Sequence, residues 1–294
     1  MMKDFLFFNY SWVRNSTILF DKFKSIKGHT IDIVDETSIR SFVPSCKYKN
    51  VVLYLHEGWT IPLTNNIINN YCKESVLIQH DTTDFENVQA WSSKKPDLVM
   101  QRELTNQTKN PWDCPVEPFH FGIESIYDNE KYKRDIDVSL MATMTNPRRA
   151  PFVRHVVELA KGPLSHLKWH LEVSPINTRT PEKYREVCNR SKIGLHYFGN
   201  SYDSIRIWEL ASCKAAIVMP KMRNLSVSKS ETPFEHYTII NDDFSDLEDK
   251  IRFLLEEDRY KKQAEKCFLD YEENHSPEKY FESYYKKIMK YARI

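Results

Sequence analysis

Glycine is scarce in this chain, with six in 294 residues. The first strand-to-helix turn expected, Asn9-Tyr10-Ser11-Trp12, has none. Nothing there resembles G-x-G-x-x-G, which argues against a dinucleotide-binding enzyme such as a sugar-nucleotide epimerase. Paired cysteines are lacking too. Cys46, Cys72, Cys114, Cys188, Cys213 and Cys267 are scattered without a C-x-x-C. Zinc ligation and a disulfide framework are therefore not expected, and a reducing, cytoplasmic setting is. No charge sign dominates: 42 basic residues face 41 acidic ones, for a formal net charge of +1. A general attraction to nucleic acid is not favoured, although a local basic patch stays open. No apolar run approaches the roughly eighteen residues of a membrane helix. The start, Met1 to Tyr10, carries Lys3 and Asp4 before a strand-like run and does not read as a signal peptide.

Two alternating series are present. In the first, Phe5–Tyr10, Thr30–Asp35, Val51–His56, Val76–Gln79 and Asp97–Met100 read as strands. Asn15–Lys27 and Ile61–Tyr71 read as helices. A charged stretch, Tyr127 to Arg134, fits a surface connection. In the second series, Asp137–Ala142, Trp169–Val173, Ile193–Phe198, Ala215–Met219 and Tyr237–Asn241 are strand-like. Pro151–Lys161 and a segment capped by Thr180, with Pro181 first, are helical. Asp246 to about Tyr271 reads as one long helix, and Glu278–Tyr291 as a last one. Strand and helix in alternation predict parallel sheets covered on both faces.

The segment Asn200 to Pro220 carries the most chemistry. It reads as a loop, a short helix and a buried strand. Asp203 or Ser204 can cap the helix, and Arg206 and Glu209, three apart, share a face near its start. Free N–H groups at a helix start suit a phosphate, and a carboxylate nearby can accept from two neighbouring hydroxyls, as in a ribose. The alternative is an internal Arg–Glu pair on a surface helix.

Ser204, Arg206, Glu209 and Ala211 resemble the donor motif S-x-R-x-x-E-x-x-A of GT-B glycosyltransferases. The family's glycine after the helix is replaced by Lys214 or Cys213. The second glutamate of many retaining relatives, seven residues earlier, is Tyr202 here. The resemblance implies an α/β fold of two Rossmann-like domains facing across a cleft. An acceptor-side domain over 1–125, a nucleotide-sugar domain over 135–270 and a tail, 271–294, crossing back onto the first are expected. It implies transfer of a sugar from a nucleotide-sugar co-substrate to a glycan or glycoprotein hydroxyl, with no obligatory cofactor or metal. Transfer to a modified DNA base and a non-catalytic sugar-binding module are the alternatives.

Expected donor-binding residues are Tyr202, Asp203, Ser204, Arg206 and Glu209, with Arg148 or Arg149 after Asn146 in the loop following the first strand of the second domain. Lys221, with Arg223 beyond it, also lies past a strand's carboxyl end, where open α/β sheets bind ligands. Inversion at a sugar needs a base near the acceptor. Asp81 and then His80, at the end of a first-domain strand, are the candidates, ahead of His56 and Glu57, and Asp81 could orient the imidazole. Asp135-Ile-Asp137 fits D-x-D but precedes a strand, and Asp242-Asp243 reads as a helix cap, so neither is assigned a metal. Trp12, Trp59, Trp91 and Trp112, all in the first half, could stack on sugar faces, though most aromatics are expected in the core.

Overall fold

A computed structural model describes residues 2–9, 22, 23, 25, 28–55, 60–81, 87–102, 104, 107–119, 123, 125–128, 131–144, 146–174, 180–199, 204–221 and 236–294. They fall into two compact units. One is drawn from Met1–Gly122 and Pro277–Ile294, the other from Ile123–Arg223 and Ser228–Ser276. The divisions come at 122/123 and 276/277, so Tyr271–Ser276 group with the second unit rather than with the tail.

The first unit holds β1 (Lys3–Asn9), β2 (Ile31–Asp35), β3 (Tyr48–Leu55), α1 (Ile61–Tyr71), β4 (Val76–Asp81), β5 (Leu98–Gln101) and β6 (Val116–Pro118). All pairings are parallel, in the order β2-β1-β3-β4-β5-β6. Both faces are covered, so β1 reads as a continuous apolar run rather than an alternating one. Phe5, Phe7, Val52, Tyr54 and Ile78 enter one core, and Leu6, Phe8, Val51, Leu53 and Leu77 enter the other, against Ile67 and Ile68 of α1. The first core is completed from the far end of the sequence. The last helix, α7 (Pro277–Tyr291), contributes Tyr280, Tyr284 and Ile288 at four-residue spacing. β6 was not expected; a three-residue strand ending in proline is tolerated at a sheet edge, where the missing N–H has no ladder partner to lose. Most of the helix expected over Asn15–Lys27 lies outside the described residues.

The second unit has β7 (Ile136–Thr143), α2 (Arg149–Lys161), β8 (Trp169–Ser174), α3 (Pro181–Arg190), β9 (Ser191–Leu195), α4 (Ile205–Ser212), β10 (Ala216–Pro220), β11 (Thr238–Ile240), α5 (Leu247–Leu255) and α6 (Arg259–Asp270). Its parallel sheet runs β11-β10-β9-β7-β8. The expected long helix is two: at Glu257 and Asp258 the backbone turns left-handed, with φ of 51° and 56°, and breaks α5 from α6. Evenly spaced Glu–Lys pairs hide such a break because their charges suit either side of it.

Where the chain passes between units, both passages are fastened inside the second. The Ile123 N–H donates to the His275 carbonyl at 3.1 Å, and the Tyr271 hydroxyl donates to the Ile123 carbonyl at 2.8 Å. Among the described residues no helix is long and apolar enough to cross a membrane.

Candidate functional site

α4 carries the S-x-R-x-x-E residues. Ile207, Trp208, Leu210 and Ala211 are buried and seat it on the sheet. Gly194 of β9 makes the close approach possible: a Cβ there would lie 2.7 Å from a Leu210 methyl. The Trp208 indole stacks on the His275 imidazole at 3.4 Å and 13°. Ser204 occupies the position before the helix in extended conformation, but its hydroxyl makes no capping bond, so the expected Ser204 cap is corrected. Lys214, past the helix, has a φ of 54°. The family glycine supplies that conformation without strain. Here Lys214 is held by other means: its ammonium lies 4.3 Å from the Phe268 ring centre and 3.4 Å from Glu265.

Glu209 faces α3 rather than pairing with Arg206. The Tyr184 hydroxyl donates to Glu209 Oε2 at 2.7 Å. Burial pushes the Glu209 carboxyl up, opposed by that hydrogen bond and by the Arg206 charge. Burial likewise pushes the Tyr184 phenol well above its usual range, with charge from Cys188 and Glu209 adding to it. Tyr184, Ser204, Arg206 and Glu209 line one pocket of about 350 Å³, with Thr180 and Pro181 at the start of α3. Thr180 caps α3 by accepting the Lys183 N–H at 3.3 Å. Arg206 Nε is buried there without a hydrogen-bond partner. The arrangement offers a fixed carboxylate for hydroxyls and a guanidinium with unused donor capacity for an anion.

The two adjacent arginines after β7 have different tasks. Arg149 is only 7% exposed. Its Nη1 donates to the Thr143 carbonyl at 2.6 Å and hydroxyl at 3.0 Å, and its Nε to the Phe198 carbonyl at 2.9 Å. It clamps the end of β7 to the loop after β9, and Asn146 adds a bond to the Gly199 carbonyl at 2.7 Å. A Cβ at Gly199 would meet Arg149 Nη2 at 2.6 Å. Burial, then the Arg206 charge, lowers the Arg149 pKa to about 10. Arg148 is exposed, and among the described residues its side chain has no partner. His196, fully buried at the end of β9, has neither ring nitrogen bonded; burial, then Arg206 and Arg149, keep its imidazole neutral.

Residues 148–284 match the model of a glycosyl transferase-like family. A solved glycosyltransferase from Rickettsia africae ESF-5 superposes with a TM-score of 0.61 at 12% identity, over 98% of this chain and 99% of that one. An alpha-glucosyltransferase in complex with UDP-glucose and DNA containing an abasic site gives 0.59 at 8% identity, over 98% and 100%. Anabaena Alr3699/HepE, in complex with UDP and glucose, gives 0.57 at 8%, over 98% and 100%. The chain has the GT-B fold, and its residues 148–284 are similar to a glycosyl transferase-like family. No protein of curated function matches it by sequence.

The structure brings Ser204, Arg206 and Glu209 together, with Arg149 close enough to feel the Arg206 charge. Lys221 follows β10 and is exposed. Tyr202, Asp203, Arg223, His56, Glu57, Trp12 and Trp59 lie outside the described residues. His80 and Asp81 are both fully buried. They are successive residues of β4, so they point to opposite faces and Asp81 cannot orient the imidazole. His80 packs among Tyr54, Phe119 and Tyr284, and burial, then the Lys287 charge, holds its pKa well below 6.5. Asp81 Oδ2 accepts the Gln89 N–H at 2.8 Å. Asp135 pairs with Arg190 at 2.8 Å and Asp137 with Lys192 at 2.6 Å, which gives the D-x-D a structural use. Asp243 accepts the Ser245 N–H at 3.1 Å and hydroxyl at 2.7 Å, a local turn. Tyr184 and His196 were not anticipated. Nothing in a single sequence ties Tyr184 to Glu209, but the rarity of glycine does point to Gly194 and Gly199.

Proposed function

We propose that the pocket at the head of α4 binds a UDP-sugar and that the enzyme transfers its sugar to a hydroxyl of a glycan or glycoprotein. The observation that carries this reading is the Glu209 carboxylate, fixed by Tyr184 beside Arg206 in a pocket. Glu209 accepts from the ribose hydroxyls. Arg206 and the exposed Arg148 meet the diphosphate, with Lys221 as a further cation at the strand ends. Tyr202 and Asp203, which precede Ser204 in the sequence, complete the donor set. Arg149 holds the loop in place. UDP is chosen because solved relatives of this fold carry UDP or UDP-glucose. In the reaction the acceptor oxygen bonds to the anomeric carbon, the bond from that carbon to the phosphate oxygen breaks, and UDP leaves with the electron pair. Fixed positive groups stabilise the departing diphosphate, the task a divalent ion has elsewhere, so no obligatory metal is proposed. Asp81, at the carboxyl edge of the first sheet, is the preferred base for the acceptor proton over His80, which faces the aromatic core.

A second acceptor reading is a DNA base, favoured by the full-length likeness to an alpha-glucosyltransferase solved with DNA. Thermal stability against UDP, UDP-glucose, UDP-GlcNAc and other nucleoside diphosphates, without added metal, tests the donor. At a hundredfold excess over Kd the expected gain is about 2.7 kcal/mol, absent in Glu209→Ala. No shift with any nucleotide at millimolar concentration sinks the reading. Turnover with glycan against duplex DNA then separates the acceptors.

A further inference from the structure

We propose that the amino-terminal edge of the first sheet binds single-stranded nucleic acid in a cationic trench. Two adjoining cavities, of about 230 and 540 Å³, share Lys73, Glu74, Ser75 and Arg293. They pass the segments that lead into β1, at Met2, and into β3, β4, β5 and β6. From β1 to β6 there are four inter-strand steps, about 19 Å, the length of a few nucleotides. Ligands of open α/β sheets bind at the carboxyl edge, so this trench lies at the other end of the strands and rests on nothing in the donor site.

Six cations line it, Lys47, Lys49, Lys73, Lys94, Lys95 and Arg293, against three carboxylates, Glu74, Asp97 and Asp113. The overall charge of +1 conceals this local excess. Few of the cations are neutralised. Lys49 pairs with Asp4 at 2.9 Å, and Lys95 stands 3.9 Å from a fully exposed Asp113. The Lys94 ammonium donates to the Ser75 carbonyl and Arg293 Nη1 to the Glu74 carbonyl, so neither meets a carboxylate. Lys47 and Lys73 are exposed, and among the described residues their ammonium groups have no partner. Burial, with Arg293 adding repulsion, holds the Lys94 pKa below its usual range although Asp97 acts the other way. An anion laid along the trench relieves that repulsion. The carbonyl end of α1 at Tyr71 attracts cations on its own account, but Lys47, Lys94, Lys95 and Arg293 arrive from other segments.

Tyr71 selects the kind of anion. The residue is 42% exposed and lines the same trench. An aromatic platform among cations is the pattern that stacks bases while the groove follows the phosphates.

The test is fluorescence anisotropy of a labelled 12-mer of deoxythymidine with the full chain in 50 mM salt. Inorganic polyphosphate and anionic vesicles serve as competitors. Saturable binding is expected, with a slope of about −2 for log K against log salt if three phosphates are neutralised. Lys47→Glu and Lys73→Glu should each weaken binding several-fold and flatten the slope by about 0.7. Tyr71→Ala should weaken the oligomer roughly tenfold and leave polyphosphate unchanged. Unchanged melting temperatures would confirm that these exposed variants fold, and the shift induced by UDP should persist in Lys73→Glu. The proposal fails if no saturable binding appears or if charge reversal has no effect. It also fails if Tyr71→Ala lowers oligomer and polyphosphate binding alike, if vesicles are bound in preference, or if Glu209→Ala abolishes oligomer binding.

Discussion

Glu209 shows how one residue is held against its own preference. Burial favours the protonated acid and raises the pKa, and Tyr184 and Arg206 act against it. Tyr184→Phe removes the closer support, so the Glu209 pKa rises further. Donor KM should then climb at a higher pH than in the parent as pH is lowered, with kcat less affected; identical KM profiles would refute the pairing. Glu209→Gln keeps an acceptor for Tyr184 and removes the desolvated charge, so stability should hold or rise by about 1 kcal/mol while the UDP shift disappears. The adjacent arginines give the opposite contrast. Arg149→Ala strands three acceptors and should cost about 2–3 kcal/mol in denaturant unfolding. Arg148→Ala, exposed and unbonded, should stay within about 0.5 kcal/mol yet weaken UDP. Equal losses of stability would overturn this division of tasks.

Among elements, α4 depends on Gly194 for its approach and on Lys214 for its exit. Lys214 holds a left-handed conformation, worth about 1–2 kcal/mol of strain for a residue with a Cβ, and offsets it through Phe268 and Glu265. Lys214→Ala keeps the strain and loses the contacts, so a loss of about 1–2 kcal/mol is expected. Lys214→Gly loses both and should lie close to the parent. A glycine variant as unstable as the alanine one would show that the strain is not there. This level is also where the sequence was most legible. The apolar runs Phe5–Phe8, Val51–Leu53 and Ala216–Met219 declare buried parallel strands, and Thr180-Pro181 declares a helix start. Arg206 and Glu209 were visible because three-residue spacing fixes a shared face. β6 was hidden by Pro115 before it and Pro118 at its end, and the break at Glu257 by uniform charge. Tyr184 was hidden because its partner is 25 residues away, a contact set by sheet order rather than by local pattern.

At the scale of the whole molecule, two buried histidines shape the response to pH. His80 and His196 are both held neutral, with pKa values well below 6.5. The unfolded chain binds protons at these sites as pH falls below 6.5 and the folded chain does not. Stability is therefore fully present above that pH and declines below it, by up to about 1.4 kcal/mol per pH unit for each histidine. Denaturant unfolding between pH 7.5 and 5 should show this slope, reduced in His80→Phe, whose ring suits the company of Tyr54, Phe119 and Tyr284. The same variant should keep its turnover. An unchanged slope would mean that His80 is protonated in the folded protein.

The placement of α7 bears on how the molecule is made. The first core needs Tyr280, Tyr284 and Ile288, which leave the ribosome only after the whole of the second unit. The second unit, apart from segments outside the described residues, is drawn from the uninterrupted stretch between Ile123 and Ser276. It can close while the earlier-made sheet still waits for its lid. Synthesis and folding therefore run in opposite orders. Until those residues emerge, the nascent amino-terminal half presents a bare apolar face of the kind chaperones bind.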